Sequence, residues 1–356
     1  LRQARTQRER LHALPESCRP QSIEDGSAIQ AALVNQLNEP IAGWKIGSTN
    51  IRALELVGTT GPISAPRLAD MRQDGISGEV IFPILGARLY GIIDGDPLSV
   101  CCRAGNDWLL EQFGAVYSAY FEPVAVLNVH DIEMAVDELT RCADRGIAGV
   151  MIPTYPGEDH PYYTAAYVRL WGSVQDFALP LCMHVAACCR GPGQRSIFAK
   201  DWQQPGTAAY STTQDDWVRR LIGSMIFAGV FERFPGLNVA IVEHELAWAP
   251  YLLKQMDTHY TELSQTAPYR FVGDRLPGDF FTTNLYLIFQ EDKLGLDALL
   301  ISIGVDTLMF GSDYPHAEST WSRSQQYLGE LLRGKTPDDR ARLTRDNASA
   351  LFGFDL

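Results

Sequence analysis

The sequence predicts an α/β fold, a (β/α)₈ TIM-type barrel with an atypical first strand and a short helical N-terminal lead. Short runs rich in Val, Ile and Leu alternate with helix-forming stretches from residue 79 onward. Apolar strands separated by helices build a parallel sheet buried on both faces. Seven such runs occur in one series, one short of a closed barrel. A doubly wound open sheet is the structural alternative, but no Gly-rich phosphate turn follows the first run.

The missing strand must then come from residues 1–78. Residues 1–14 read as a charged helix. Residues 22–37 read as a second helix opening at Ser22, with Glu24 and Asp25 in the first turn, where carboxylates suit the helix dipole. Residues 41–47 are the best strand candidate, with Gly43, Lys45 and Gly47 on one face and Trp44 and Ile46 on the other. Strands follow at 79–85, 122–129, 149–155, 179–186, 238–244, 282–290 and 307–310. Helices are predicted between them at 107–119, 131–145, 215–233 and 248–263. Residues 203–213, polar and containing Pro and Gly, read as a long loop over the barrel mouth.

Composition narrows the partners. A chain of 356 residues with 46% hydrophobic and 21% charged residues has the profile of a soluble globular protein. A net charge of −13 argues against nucleic acid or an anionic membrane surface as partner. The Arg-rich first ten residues lack the Ser content of a targeting peptide. No apolar run approaches the roughly 18 residues of a membrane span. The seven cysteines are odd in number and form no C-x-x-C, as expected of free thiols in a reducing cytoplasm.

In a βα barrel the reacting groups sit just past the C-terminal ends of strands. Of the seven histidines, His12 and His259 fall on helices, and His130 begins one. His160 lies in a turn-rich loop after the 149–155 strand, within reach of a substrate. His184 interrupts an apolar strand, where a satisfied core imidazole is the usual alternative to a ligand. His244 ends a strand, and His316 comes three residues after Asp313. Asp313 follows the last strand, and capping of the next segment is its alternative role. Two imidazoles and a carboxylate at three strand ends are a reasonable ligand set for Zn²⁺ or Mn²⁺.

Six stretches extend this reading. They are Arg67-Leu68-Ala69-Asp70-Met71, Gly78-Glu79-Val80-Ile81-Phe82-Pro83, Asn106-Asp107-Trp108-Leu109, Leu181-Cys182-Met183-His184-Val185, Ala247-Trp248-Ala249-Pro250-Tyr251-Leu252 and Phe310-Gly311-Ser312-Asp313-Tyr314-Pro315-His316. In order and content they resemble the amidohydrolase-related family of metal-dependent barrels. That family includes hydrolases and non-oxidative decarboxylases such as the aminocarboxymuconate-semialdehyde and γ-resorcylate enzymes. The resemblance implies that His184 and Asp313 hold a divalent metal, Zn²⁺ first and Mn²⁺ second. It gives Asp313 a further role as proton acceptor and makes His244 an acid or base acting on substrate or water. His160 and His316 are expected at the substrate, and a homodimer is common for such barrels.

The family's first strand ends in His-x-His or Glu-x-His, whereas only His12 precedes His130 here. Residues 1–64 instead resemble the start of the 2-keto-4-pentenoate hydratases through Arg19-Pro20, Ile29-Gln30-Ala31-Ala32-Leu33 and Gly43-Trp44-Lys45-Ile46-Gly47. That resemblance implies an active-site position for Lys45, but not hydratase activity, because the carboxylate ligands of a hydratase are missing. The expected organisation is a 1–64 segment followed by a barrel over 65–356. Two functions follow as expectations. One is metal-dependent hydrolysis or non-oxidative decarboxylation of a small carboxylated or cyclic substrate. The other is a barrel without first-strand ligands, and so without a metal, that binds a small molecule or partner.

Overall fold

In the computed structural model, residues 64–354 are described, apart from 84–85, 87–88, 92–94, 115–118, 186, 190–211, 214, 264, 266 and 317. Lys45, the 41–47 strand candidate, the two N-terminal helices and most of the 203–213 loop lie outside the described residues.

Seven short strands alternate with helices. The chain runs α1 (Ser64–Gln73), β1 (Glu79–Ile81), α2 (Gly95–Leu109), β2 (Phe121–Val126), α3 (Ile132–Ala143), β3 (Gly149–Ile152), α4 (Val168–Asp176) and β4 (Leu181–His184). It continues with α5 (Asp215–Phe227), α6 (Val230–Arg233), β5 (Val239–Val242), α7 (Ala249–Glu262), β6 (Leu285–Phe289), α8 (Lys293–Ser302) and β7 (Leu308–Phe310). Three short helices close the described chain: α9 (Ser324–Leu331), α10 (Pro337–Ala341) and α11 (Asn347–Phe352). The strands pair in sequence order, β1 to β7, each parallel to the next. This is a TIM-type barrel, curled and open between β7 and β1 among the described residues.

Strand periodicity sorts the core into two layers. Val150, Leu181, Met183, Val239, Ile241, Leu287 and Leu308 face outward into a cluster with the helices. Val124, Val126, Met151, Cys182, Ala240, Val242 and Met309 face inward and fill the barrel. Strands β2 to β5 are therefore buried on both faces almost throughout, which is why they read as apolar runs.

The structure moves two helix boundaries. The segment predicted as a helix over 107–119 starts twelve residues earlier, at Gly95, and its buried Leu98, Cys102, Asn106 and Leu109 follow helical spacing. Gly95, Pro97 and Gly105 obscure that periodicity, although Pro in a first turn loses no helical hydrogen bond. The 215–233 helix divides at Gly229, whose φ is +68° and whose added Cβ would lie 2.1 Å from the Tyr269 ring. The 131–145 helix is as expected, with Asp131 capping it through Met134 N at 3.0 Å.

Across the open seam, Arg67 of α1 forms an ion pair with Glu79 of β1 and donates to Tyr314 O beyond β7 at 2.9 Å. Its guanidinium also lies over the Tyr314 ring, 4.9 Å from the centroid, and the Tyr314 hydroxyl bonds Asp70. A cavity of about 1120 Å³ runs along this seam to the C-terminal ends of β5 and β7.

Candidate metal centre

The alternation that fills the barrel also aims its last residues. His184 shares the inward face of Cys182 and is fully buried, with the Phe82 ring 5.5 Å away. His244 follows Val242 inward and Asp313 follows Met309 inward. By the same parity Glu243 would face the helices. It does not, because its φ is +59°, in the left-handed region that non-glycine residues seldom adopt. That turn brings its Oε1 within 2.9 Å of His184 Nε2. Asp313 is also left-handed, at φ +55°.

A reciprocal clamp holds the β5 turn. Glu245 accepts the backbone N–H groups of Gln290, Glu291 and Asp292 at 3.1–3.3 Å. Asp292 in return accepts those of Leu246 and Ala247. The Trp248 indole donates to His244 O at 2.9 Å. Beyond β7, His316 N donates to Asp313 O at 2.9 Å, closing a turn after Asp313.

Glu243, Asp313 and His316 each offer a ligand atom, and these atoms lie within 4.8 Å of one another. Burial raises the Glu243 carboxyl, but the adjoining His184 imidazole outweighs it and holds the group at about 2. Burial, then the facing Glu243 charge, pushes the Asp313 carboxyl up to about 8. The two carboxyl groups thus face each other with opposite shifts, Glu243 favouring its charged form and Asp313 its neutral one. Asp313 Oδ1 has no partner among the described residues. Burial, and then His184, pushes the His244 imidazole down to about 3. His244 is 7% exposed, and neither ring nitrogen has a partner among the described residues. A divalent cation suits this arrangement. It would let both carboxylates ionise and would give the orphaned oxygen a partner.

Four of the six residues expected from sequence therefore meet at one mouth: His184, His244, Asp313 and His316. His160 does not line the seam cavity. Its ring stacks on that of His130, with centroids 4.7 Å apart and planes 24° apart, and its carbonyl accepts from the Tyr167 hydroxyl. Lys45 is outside the described residues. Glu243 was missed by sequence reasoning. Its signal is a carboxylate that breaks an apolar strand immediately before His244.

Several solved structures share the fold. An amidohydrolase from Mycobacterium avium subsp. paratuberculosis superposes with a TM-score of 0.67 at 23% identity, over 82% of this chain and 74% of that one. The 5-carboxyvanillate decarboxylase of Sphingomonas paucimobilis gives 0.66 at 18% identity, over 86% and 87%. A dihydroxybenzoic acid decarboxylase from Polaromonas sp., solved with bound manganese and the inhibitor 2-nitroresorcinol, gives 0.63 at 20% identity, over 87% and 91%. The amidohydrolase family model matches residues 62–354. With four-fifths of its length matched and its acidic and imidazole groups gathered at the strand ends, the chain belongs to the amidohydrolase family.

Proposed function

We propose that this protein is a divalent-metal-dependent enzyme that decarboxylates, or alternatively hydrolyses, a small carboxylated ring substrate. The observation that carries the reading is the pair of inward carboxylates, Glu243 and Asp313, facing each other beside His316 and a His244 that has no partner among the described residues. Decarboxylation is placed first because several proteins of this fold are decarboxylases of hydroxylated benzoates. Asp313 holds the metal together with groups drawn from His184, Glu243 and His316. This donor set is richer in oxygen than the one expected from sequence, and it favours Mn²⁺ over the Zn²⁺ first expected. When bound, such a cation supplies a Lewis acid that draws in the substrate carboxylate and neutralises charge on the ring oxygen.

His244 moves the proton. A neutral imidazole presents one N–H donor and one acceptor nitrogen. As the bond to CO₂ breaks, the ring carbon takes a proton from the imidazole N–H, and the one proton the reaction consumes is taken up from solvent at the other nitrogen. The carboxylate leaves as CO₂ and a C–H bond replaces the C–C bond. In a hydrolysis the same nitrogen would accept a proton from attacking water. The apolar wall formed by Val242, Ile288, Phe289 and Met309 limits water at the reacting carbon.

The test is CO₂ release from a panel of hydroxybenzoates, including 2,6-dihydroxybenzoate and 5-carboxyvanillate, by the manganese-loaded protein. The His244→Asn variant is expected to lose roughly 10²- to 10⁴-fold in kcat with its metal content unchanged. An unaffected kcat removes His244 from the reaction. A loaded protein that neither decarboxylates nor hydrolyses any carboxylated ring contradicts the proposal.

A further inference from the structure

We infer that residues 41–47 dock in the open seam as a further parallel strand between β7 and β1, with Trp44 and Ile46 turned toward the helices and Lys45 toward the cavity. This inference goes beyond the proposed reaction and does not depend on the metal.

Four observations carry it. First, the two edges of the seam are unfinished. Strands β3, β4 and β5 are buried at every residue, whereas Val80, Phe82 and Phe310 beside the seam are only half-buried and line its cavity. Second, backbone polar groups point into the gap. Glu79 N donates to Tyr120 O on the β2 side, and Gly311 N donates to Phe289 O of β6. Successive residues of a parallel strand bond opposite neighbours, so the backbone groups of Val80 and Phe310 face the seam. Backbone groups inside a sheet are almost always paired, and two facing open edges are a template for one more strand.

Third, α1 already roofs the gap. Besides the Arg67 contacts to Glu79 and Tyr314 O, Asp70 O accepts from the Trp321 indole at 3.3 Å, and the Asp74 carboxylate accepts from Ser324 N at 2.9 Å. Leu68 and Met71 of the same helix are buried in a cluster with Ile81 of β1. The helix thus grips β1 on one side and the segment beyond β7 on the other. In a βα barrel a helix links the strand before it to the strand after it. Strand β1 comes after α1, and the strand before it is what the seam lacks. A strand at 41–47, helix α1 and β1 would form one right-handed βαβ unit, and residues 48–63 are long enough to cross the mouth between them.

Fourth, the two faces of the segment match the two sides of the gap. Trp44 and Ile46 suit the apolar layer of Leu68, Met71 and Ile81 beneath α1. Gly43, Lys45 and Gly47 alternate with them and face the cavity, whose wall carries Glu243, Asp313 and Glu318. A slip of one residue would bring Trp44 against those acids and bury the Lys45 ammonium under the helix, which is costly.

The test is hydrogen exchange on the full chain, resolved to single amides. In the wild type the amides of 41–47, together with those of Val80 and Phe310, are expected to exchange at least about 100-fold more slowly than in an unstructured chain. Ile46→Pro removes a ladder donor from a strand paired on both sides. It should release all three regions together while Val150 and Met151 of β3 stay protected. If Ile46→Pro fails to fold by circular dichroism, Trp44→Ala is read in its place. Exchange of 41–47 at the unstructured rate overturns the inference, as does free exchange at Val80 and Phe310. Protection at Val80 and Phe310 that the variant leaves unchanged overturns it too. Protection that disappears on dilution, as a dimer dissociates, assigns the groove to a second copy of the chain and equally overturns it. Acetylation of the native protein should modify the exposed Lys254 well before Lys45. Equal rates would place Lys45 in solvent and overturn its inward facing.

Discussion

Among the described residues neither ring nitrogen of His244 has a partner, although the side chain is nearly inaccessible to water. Leaving buried polar atoms unpaired opposes folding, so the residue is held there against stability. Replacing it by Phe, which keeps a planar ring and removes both polar atoms, is expected to raise unfolding stability by about 1–3 kcal/mol while abolishing turnover. Denaturant titration and the CO₂ assay check the two halves, and a destabilised His244→Phe contradicts this view of the site. At this scale the sequence was only partly legible. His184, His244, Asp313 and His316 stand out because imidazoles and a carboxylate at the ends of apolar strands are conspicuous. Glu243 does not, because strand alternation points it outward and only its left-handed backbone turns it in.

The strands themselves were legible because burial on both faces leaves little polar residue in them to mask their limits. Each of the seven predicted runs overlaps an observed strand. The α2 boundary was not legible, since Gly and Pro interrupt its apolar spacing and the buried Asn106 is polar. That Asn106 clips α2 onto β2, accepting from Val126 N at 2.8 Å and donating to Val126 O at 3.0 Å. One strand residue runs against the pattern. Glu122 of β2 faces inward near Ala148, Leu351 and Phe352, and burial pushes its carboxyl up to about 7. Its folded value lies above the unfolded one of 4.5. The folded state therefore retains a proton that the unfolded chain releases, and stability is lost as pH rises from about 4.5 to 7. Glu122→Gln has no such loss. Its stability relative to wild type should increase across that interval and level off above it, as measured by urea unfolding at pH 4.5 and pH 8. A pH-independent difference would show that Glu122 is solvated.

For the whole molecule, the decisive feature is a parallel sheet that the described strands leave open between β7 and β1. Arg67 ties the two sides through Glu79 and the Tyr314 carbonyl, with both charged side chains largely buried at 17% and 12% exposure. Removing one partner strands the other charge, so Arg67→Ala should cost roughly 3 kcal/mol, and Glu79→Gln in the same chain should restore part of it. Thermal unfolding of the two single variants and the double variant checks this, and additive losses would mean that the pair is uncoupled. Barrel architecture and the position of its mouth were readable from the order of strands and helices, since the C-terminal ends of parallel strands converge at one face. The proposed ligand geometry was not readable, because it depends on two turns whose shape is set by contacts between β5, β6 and β7. The most direct test of the metal centre is the metal content of the purified protein and of its Asp313→Asn variant, both confirmed as folded. About one manganese or other divalent ion per chain in the wild type, lost in the variant, is the expected result. A folded wild type that takes up no divalent metal, or a variant that keeps a full complement, would contradict the account.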